Sequence, residues 1–207
     1  MTRNAMLWAC LLLNAMLPSV PALGYVAYDE EVSGDLSGDY AHPTILNLLP
    51  GSNVVAGAAG VFDEGEDIEY VNVNLPTGYQ LSELRLLLYE GRDLTAFVGV
   101  QEGTAFTFPA DEAFSHITDM IGWSHIGPGA GTGVGSDLLP PVGQNGQGFV
   151  PPLNGAAYTF WIQQTGSVMD YQFDFVVSAV PEPAAGSFIG MALLSGVSWR
   201  RRSRSFR

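Results

Sequence analysis

Basic residues and thiols are nearly missing from this sequence of 207 residues. It contains no lysine, and between residues 25 and 180 its only arginines are Arg85 and Arg92. The same stretch holds 20 Asp and Glu residues, which gives it a formal charge of −18. An acidic chain repels phosphate backbones, so we expect no nucleic-acid partner. Divalent cations and solvation are better explanations of the charge.

The only cysteine is Cys10, which lies close to the N-terminus. If residues 1–24 are removed, the remaining domain has no thiol. It then has no intramolecular disulfide, zinc-thiolate site or cysteine nucleophile. The fold must therefore be held by packing and hydrogen bonds.

The N-terminal residues 1–24 have the three-part pattern of a secretory signal peptide. Arg3 supplies a positive charge, residues 5–17 are apolar, and small residues follow Pro18. This order predicts export, with cleavage after Ala22 or Gly24. The alternatives are an uncleaved anchor or a buried helix.

The C-terminal residues 180–207 combine a proline-rich motif, an apolar stretch and a basic end. Residues 184–199 carry no charge, which predicts a single transmembrane helix of marginal length. Positive charges remain on the cytoplasmic side of a membrane, so the acidic body would lie outside. The basic anchor consists of Arg200, Arg201, Arg202 and Arg204.

The motif before this stretch, Val180-Pro181-Glu182-Pro183, together with the helix and the arginines, resembles the PEP-CTERM sorting signal of Gram-negative bacteria. The resemblance implies processing by an exosortase, after anchoring in the inner membrane. It also implies a final place at the cell surface or in the extracellular matrix, often with exopolysaccharide and biofilm. The motif would be a recognition element and not a catalytic group. A plain single-pass anchor is the alternative.

The body, residues 25–179, has the alternation of β-strands. Residues 68–75, 84–89, 95–100, 104–108, 157–162 and 171–177 are predicted strands, and the last two are expected to pair through a hairpin at 164–170. Residues 111–119 predict a short helix, and the Gly- and Pro-rich residues 127–152 predict a long surface loop. The spacing favours an all-β fold, an antiparallel jelly-roll-like sandwich.

Two stretches of the body are similar to bacterial pre-peptidase C-terminal domains. Residues 63–78 place an acidic turn before a strand that ends in Pro-x-Gly, and residues 157–160 form a later Tyr-containing strand. The resemblance implies a β-sandwich with an accessory or binding role.

Two acidic clusters, at residues 29–39 and 63–69, suggest calcium as a cofactor. Calcium takes six to eight oxygen ligands from carboxylates and loop carbonyls, and nearby glycines allow such loops to curve. Solvated acidic turns are the alternative. The candidate ligands are Asp29, Asp35, Asp39, Asp63 and Asp67.

Aromatic residues in the last strands suggest a second kind of site. Strand alternation places Trp161 opposite Tyr158 and Phe160, so at least one aromatic residue is expected to be exposed, and an exposed Trp161 would suit carbohydrate. Trp161 and Trp123 are the candidate carbohydrate-stacking residues, with exopolysaccharide as the partner. Aromatic rings in strands more often pack in a core.

We predict no catalytic residues. His116 with Asp119, or His125 with Ser124, forms a triad only on paper. The sequence therefore favours an exported, non-enzymatic protein of the envelope or matrix. A calcium- or carbohydrate-binding module is the alternative, and an uncharacterised hydrolase is a weaker one.

Overall fold

Strands β1 to β9 form one continuous sheet in the computed structural model, which describes residues 24–63 and 65–182. The all-β prediction is confirmed, but two strand pairs, β1–β3 and β2–β4, are parallel. The strands are β1 (Tyr25–Asp29), β2 (Thr44–Asn47), β3 (Gly51–Phe62), β4 (Gly65–Asn74), β5 (Tyr79–Gly91), β6 (Ala96–Glu102), β7 (Gly122–Ile126), β8 (Ala157–Gln163) and β9 (Met169–Ala179). Short helices are α1 (Glu30–Ser33), α2 (Ala113–His116) and α3 (Leu139–Val142), with 3₁₀ turns at Ala110–Glu112 and Pro128–Ala130.

The sheet has two halves that face each other. The front half has the order β5-β9-β3-β1, and the back half has the order β2-β4-β8-β6-β7. They are joined where β3 pairs with β4 over three residue pairs, from Gly60↔Asp67 to Phe62↔Gly65. Beyond this short hairpin the two strands separate, and each continues into its own half.

Side chains that alternate along the strands fill the space between the halves. Tyr171, Phe173 and Phe175 of β9 point into this core, as the alternation predicts. Phe160 of β8 meets Phe175 edge to face, with ring centroids 5.2 Å apart. Burying one such ring contributes about 1.5–3 kcal/mol.

Asp174 lies on the other face of β9, where strand alternation leads one to expect an exposed side chain, but it is buried. Its carboxylate accepts hydrogen bonds from the Ser52 hydroxyl at 2.8 Å and the Asn53 amide at 2.9 Å. These bonds tie β9 to β3.

The outer face of the back half, which points away from the front half, is covered by a second cluster of apolar side chains. Tyr70 and Trp161 pack there with Phe106, Phe108 and Met120. The predicted strand at 104–108 is wrong, because this segment crosses the face instead of joining the sheet. The predicted helix at 111–119 is shorter, consisting of a 3₁₀ turn and α2.

Residues 127–152 are folded and not a plain surface loop. Leu138, Leu139 and Val142 are buried in the core. The Gly135 and Leu138 amides donate to carbonyl oxygens of β5 at 2.7 Å each. The segment thus covers the edge of the front half.

The predicted β8–β9 hairpin is also wrong. β8 pairs with β4 and β6 in the back half, whereas β9 pairs with β3 and β5 in the front half. The connection at 164–168 therefore crosses from one half to the other.

The predicted signal peptide and transmembrane helix lie outside the described residues, apart from Gly24. Within the described ranges, no helix combines the length and apolar character needed to cross a bilayer.

Candidate functional site: a buried acidic cluster

The structure brings together two of the five predicted calcium ligands, Asp35 and Asp67. They meet at the joint between the two halves, with Glu30 and Glu69 beside them. We call Glu30, Asp35, Asp67 and Glu69 the acidic cluster. Carboxylate oxygens of Glu30, Asp35 and Glu69 lie within 4.8 Å of one another.

The other three predicted ligands, Asp29, Asp39 and Asp63, are not among the carboxylates that the structure groups here. Asp29 caps α1 by accepting a hydrogen bond from the Glu31 amide at 3.0 Å. Asp39 pairs with His42 at 2.8 Å, and this hydrogen bond lowers the pKa of Asp39. Asp63 is exposed in the turn after β3.

Glu69 is the most enclosed member of the acidic cluster. It is fully buried, and no amide, hydroxyl or basic group donates to its oxygens; the group within hydrogen-bond reach is the carboxyl of Asp67. Burial, followed by the negative charges of Glu30, Asp67 and Asp35, raises the pKa of Glu69 to about 10. An ionised carboxylate in such a place is strongly destabilised unless a positive charge meets it.

Asp67 lies two residues before Glu69 on β4, so the two side chains leave the strand on the same face. Burial and the neighbouring Asp35 raise the pKa of Asp67. This neighbouring pair is the part of the cluster that the back half supplies.

Glu30 reaches the cluster from α1 through a space that a glycine leaves open. Its two oxygens accept hydrogen bonds from the Ala58 amide at 2.8 Å and the Leu36 amide at 3.2 Å. A Cβ at Gly57 would fall 2.5 Å from the Glu30 carboxylate. Burial raises the pKa of Glu30, although the two amides act in the opposite direction.

Tyrosines from the front half complete the surroundings. Tyr171 of β9 is buried and its hydroxyl has no hydrogen-bond partner. Burial and the nearby carboxylates raise the pKa of Tyr171 well above its ordinary value. Tyr28 of β1 donates from its hydroxyl to the Gly34 carbonyl at 3.0 Å, next to Asp35.

The described residues offer no basic group that neutralises the acidic cluster. Arg85 forms an ion pair with Glu83. Arg92 lies in a surface groove with Glu90 and Asp170. The site therefore offers oxygen ligands and concentrated negative charge, which suit a hard cation.

The predicted carbohydrate residues are placed differently from each other. Trp161 is only 3% exposed, with its ring 4.8 Å from that of Phe97, so the expectation that it is exposed is wrong. Trp123 is half-buried on β7, and its ring stacks near Phe97 with centroids 6.1 Å apart. Of the two candidate tryptophans, Trp123 is the one that stays partly accessible.

Neither of the two residue pairs considered for catalysis is completed to a hydrogen-bonded Ser-His-Asp triad among the described side chains. His116 pairs with Asp119 at 2.7 Å on an exposed turn. The Ser124 hydroxyl donates to the carbonyl oxygen of His125, its neighbour in β7.

The residues of the predicted sorting motif begin directly after β9. Val180 donates its amide to the Gly78 carbonyl at 2.9 Å, and Val180, Pro181 and Glu182 are exposed. Pro183 and the basic anchor, Arg200, Arg201, Arg202 and Arg204, lie outside the described residues.

A scan against protein-family models finds no match, and searches of curated proteins and of solved structures find none either.

Proposed function

We propose that this chain is an exported, non-catalytic protein whose β-domain, a jelly-roll-like sandwich, binds a divalent cation, calcium by its chemistry, in the acidic cluster. The observation that carries the proposal is Glu69, a fully buried carboxyl group whose oxygens accept no hydrogen bond from an amide, hydroxyl or basic group and lie among the carboxyl groups of Glu30, Asp35 and Asp67. A bound cation supplies the positive charge that the neighbouring side chains do not.

Distance and ligand type favour calcium. Two oxygens bound to one Ca²⁺ lie at most about 5 Å apart, and oxygens of Glu30, Asp35 and Glu69 fall within that span. Two oxygens bound to one Mg²⁺ lie at most about 4 Å apart, in a near-ideal octahedron, and Mg²⁺ gives up its bound water reluctantly. Carboxylates of different burial, supplied by separate segments, suit the more adaptable shell of Ca²⁺.

Titration calorimetry with CaCl₂ and MgCl₂ tests this proposal. We expect one Ca²⁺ per chain, weaker Mg²⁺ binding, and at least about a tenfold loss of Ca²⁺ affinity in Glu69→Gln, because even the loss of a group that only orients a ligand typically costs about 10–100-fold. Glu31→Gln is the matched control, because Glu31 is an exposed acid beside Glu30. Absence of Ca²⁺ binding, or equal binding by Glu69→Gln, contradicts the proposal.

We further propose that an exosortase sorts the protein to the cell surface or extracellular matrix of a Gram-negative bacterium, in association with exopolysaccharide. Support comes from the order of the motif, apolar stretch and arginines, and from the exposure of Val180, Pro181 and Glu182 beyond the last strand. Intact mass of the mature protein tests both ends. A product that keeps its arginines, with or without substitution of Pro181-Glu182-Pro183, contradicts this proposal.

Trp123 is the remaining candidate for contact with exopolysaccharide. Its partly exposed ring adjoins Phe97 and the exposed His125, so a sugar face has an aromatic surface on which to stack. Retardation in a polysaccharide gel that is lost in Trp123→Ala would support it, and equal migration of both proteins would contradict it.

A further inference from the structure

The ligands of the acidic cluster come from two parts of the chain. Glu30 and Asp35 belong to the N-terminal segment, which we define as residues 25–36, whereas Asp67 and Glu69 belong to β4. Glu30 also contacts β3 through the Ala58 amide. An ion bound here would thus join the N-terminal segment to both strands at the joint of the sheet.

The N-terminal segment has few other contacts to hold it. β1 pairs with β3 through four residue pairs, with a shift in register between Val26 and Tyr28. Tyr25 and Val26 are 51% and 56% exposed, and α1 buries none of its residues. Leu36 is the fully buried apolar side chain of the segment, while Ala27 and Tyr28 pack against the core and are only partly buried.

Docking of this segment is opposed by charge when no ion is bound. It brings Glu30 and Asp35 against Asp67 and the buried Glu69, and carboxyl groups this close repel one another unless a cation or a proton lies between them. The docked segment and the bound ion therefore favour each other.

We propose that the cation acts as a clasp: its binding docks the N-terminal segment across the joint between β3 and β4, and its removal releases that segment while the rest of the sheet stays folded. This inference rests on the proposed cation site. The segment directly follows the predicted signal peptide, so the clasp would close once the chain has been exported and meets calcium.

Hydrogen exchange measured by mass spectrometry on the full-length protein in detergent tests the clasp. The amides of Leu36 and Ala58 are direct probes, because both donate to the Glu30 carboxylate. With Ca²⁺ at about 100 times its Kd, linkage favours the docked state by up to about 100-fold. At pH 8 we expect a chelator to speed exchange in the N-terminal segment at least about tenfold, with less than about a twofold change in β9.

Two variants sharpen the experiment. Glu69→Gln removes the buried acid, so its N-terminal segment should stay protected with or without calcium, an outcome that simple destabilisation would not produce. Glu31→Gln should respond to the chelator as the wild type does.

The outcomes separate the clasp from the cation site. Calcium binding by calorimetry with no change in exchange of the N-terminal segment overturns the clasp and leaves the site standing. Equal loss of protection in the segment and in β9 also overturns it, because the ion would then stabilise the whole domain. No calcium binding overturns both.

Discussion

The carboxyl group of Glu69 keeps its proton at a pH where exposed acids have lost theirs. Its pKa lies near 10 because it is buried and surrounded by other acids. In the unfolded chain the same group titrates near its ordinary value of 4.5. Between these two values the folded protein without metal holds a proton that the unfolded chain has released.

This difference predicts a pH-dependent stability for the metal-free protein. A raised folded-state pKa stabilises below the unfolded value and loses that effect as the pH rises, so stability should fall across the window from about 4.5 to 10. One proton corresponds to about 1.4 kcal/mol per pH unit. Urea unfolding in a chelator at pH 6, 7 and 8 measures the slope, which Glu69→Gln should flatten by that amount. A slope equal in both proteins contradicts the assignment of a raised pKa to Glu69.

Gly57 is a second residue on which the site depends. An added Cβ would overlap the Glu30 carboxylate, so Gly57→Ala should displace Glu30 and lower calcium affinity by about tenfold or more, the effect of losing one oriented ligand. Gly133→Ala is the control, since no atom lies within 4 Å of a Cβ at that position. Calorimetry compares the two, and unchanged affinity in Gly57→Ala would show that Glu30 is not a ligand.

At the scale of elements, β8 and β9 hold the two halves together through their inward rings. Phe175→Ala removes the edge-to-face contact with Phe160 and leaves a cavity in a close-packed core. We expect a loss of about 3–5 kcal/mol in the free energy of unfolding. Denaturant titration measures it. Phe114→Ala should change stability by less than about 0.5 kcal/mol, because Phe114 is 96% exposed.

Strands with strong alternation could be predicted from the sequence, and strands without it could not. β4, β5, β6, β8 and β9 each overlap a predicted segment. β3 was missed because its residues, GSNVVAGAAGVF, are mostly small and show no regular apolar face. The β8–β9 pairing failed because turn residues such as Gly166 and Ser167 also suit a crossover, and local sequence does not reveal which distant strand is the partner.

The candidate site, too, could be predicted from the sequence only in part, because local sequence does not reveal which distant residues meet. Glu69 shares one face of β4 with Val71 and Val73, so the pattern could have placed it on the inward face. The approach of Glu30 to β4 could not be read from the sequence, because it depends on the long-range pairing of β1 with β3. Trp161 was expected to be exposed because nothing local indicates that residues 104–120 cover the back half.

At the scale of the whole molecule, cation binding should raise the thermal midpoint. With Ca²⁺ at about 100 times its Kd, linkage adds about 2.7 kcal/mol, or roughly 5–10 °C for a chain of this size. Calorimetric melting with calcium and with a chelator measures the shift. Glu31→Gln should keep it and Glu69→Gln should lose most of it; an equal shift in both variants would place the ion elsewhere.

The first and last strands of the chain, β1 and β9, differ in how they would carry a mechanical load. β9 leads directly into Val180 and is flanked by β5 and β3, with eleven residue pairs on one side and nine on the other. A pull from beyond Val180 loads both ladders in shear, so many hydrogen bonds must yield at once. β1, with four pairs at an edge, would peel away under far less tension. The fold is therefore strongest along the line that leads to its C-terminal tail.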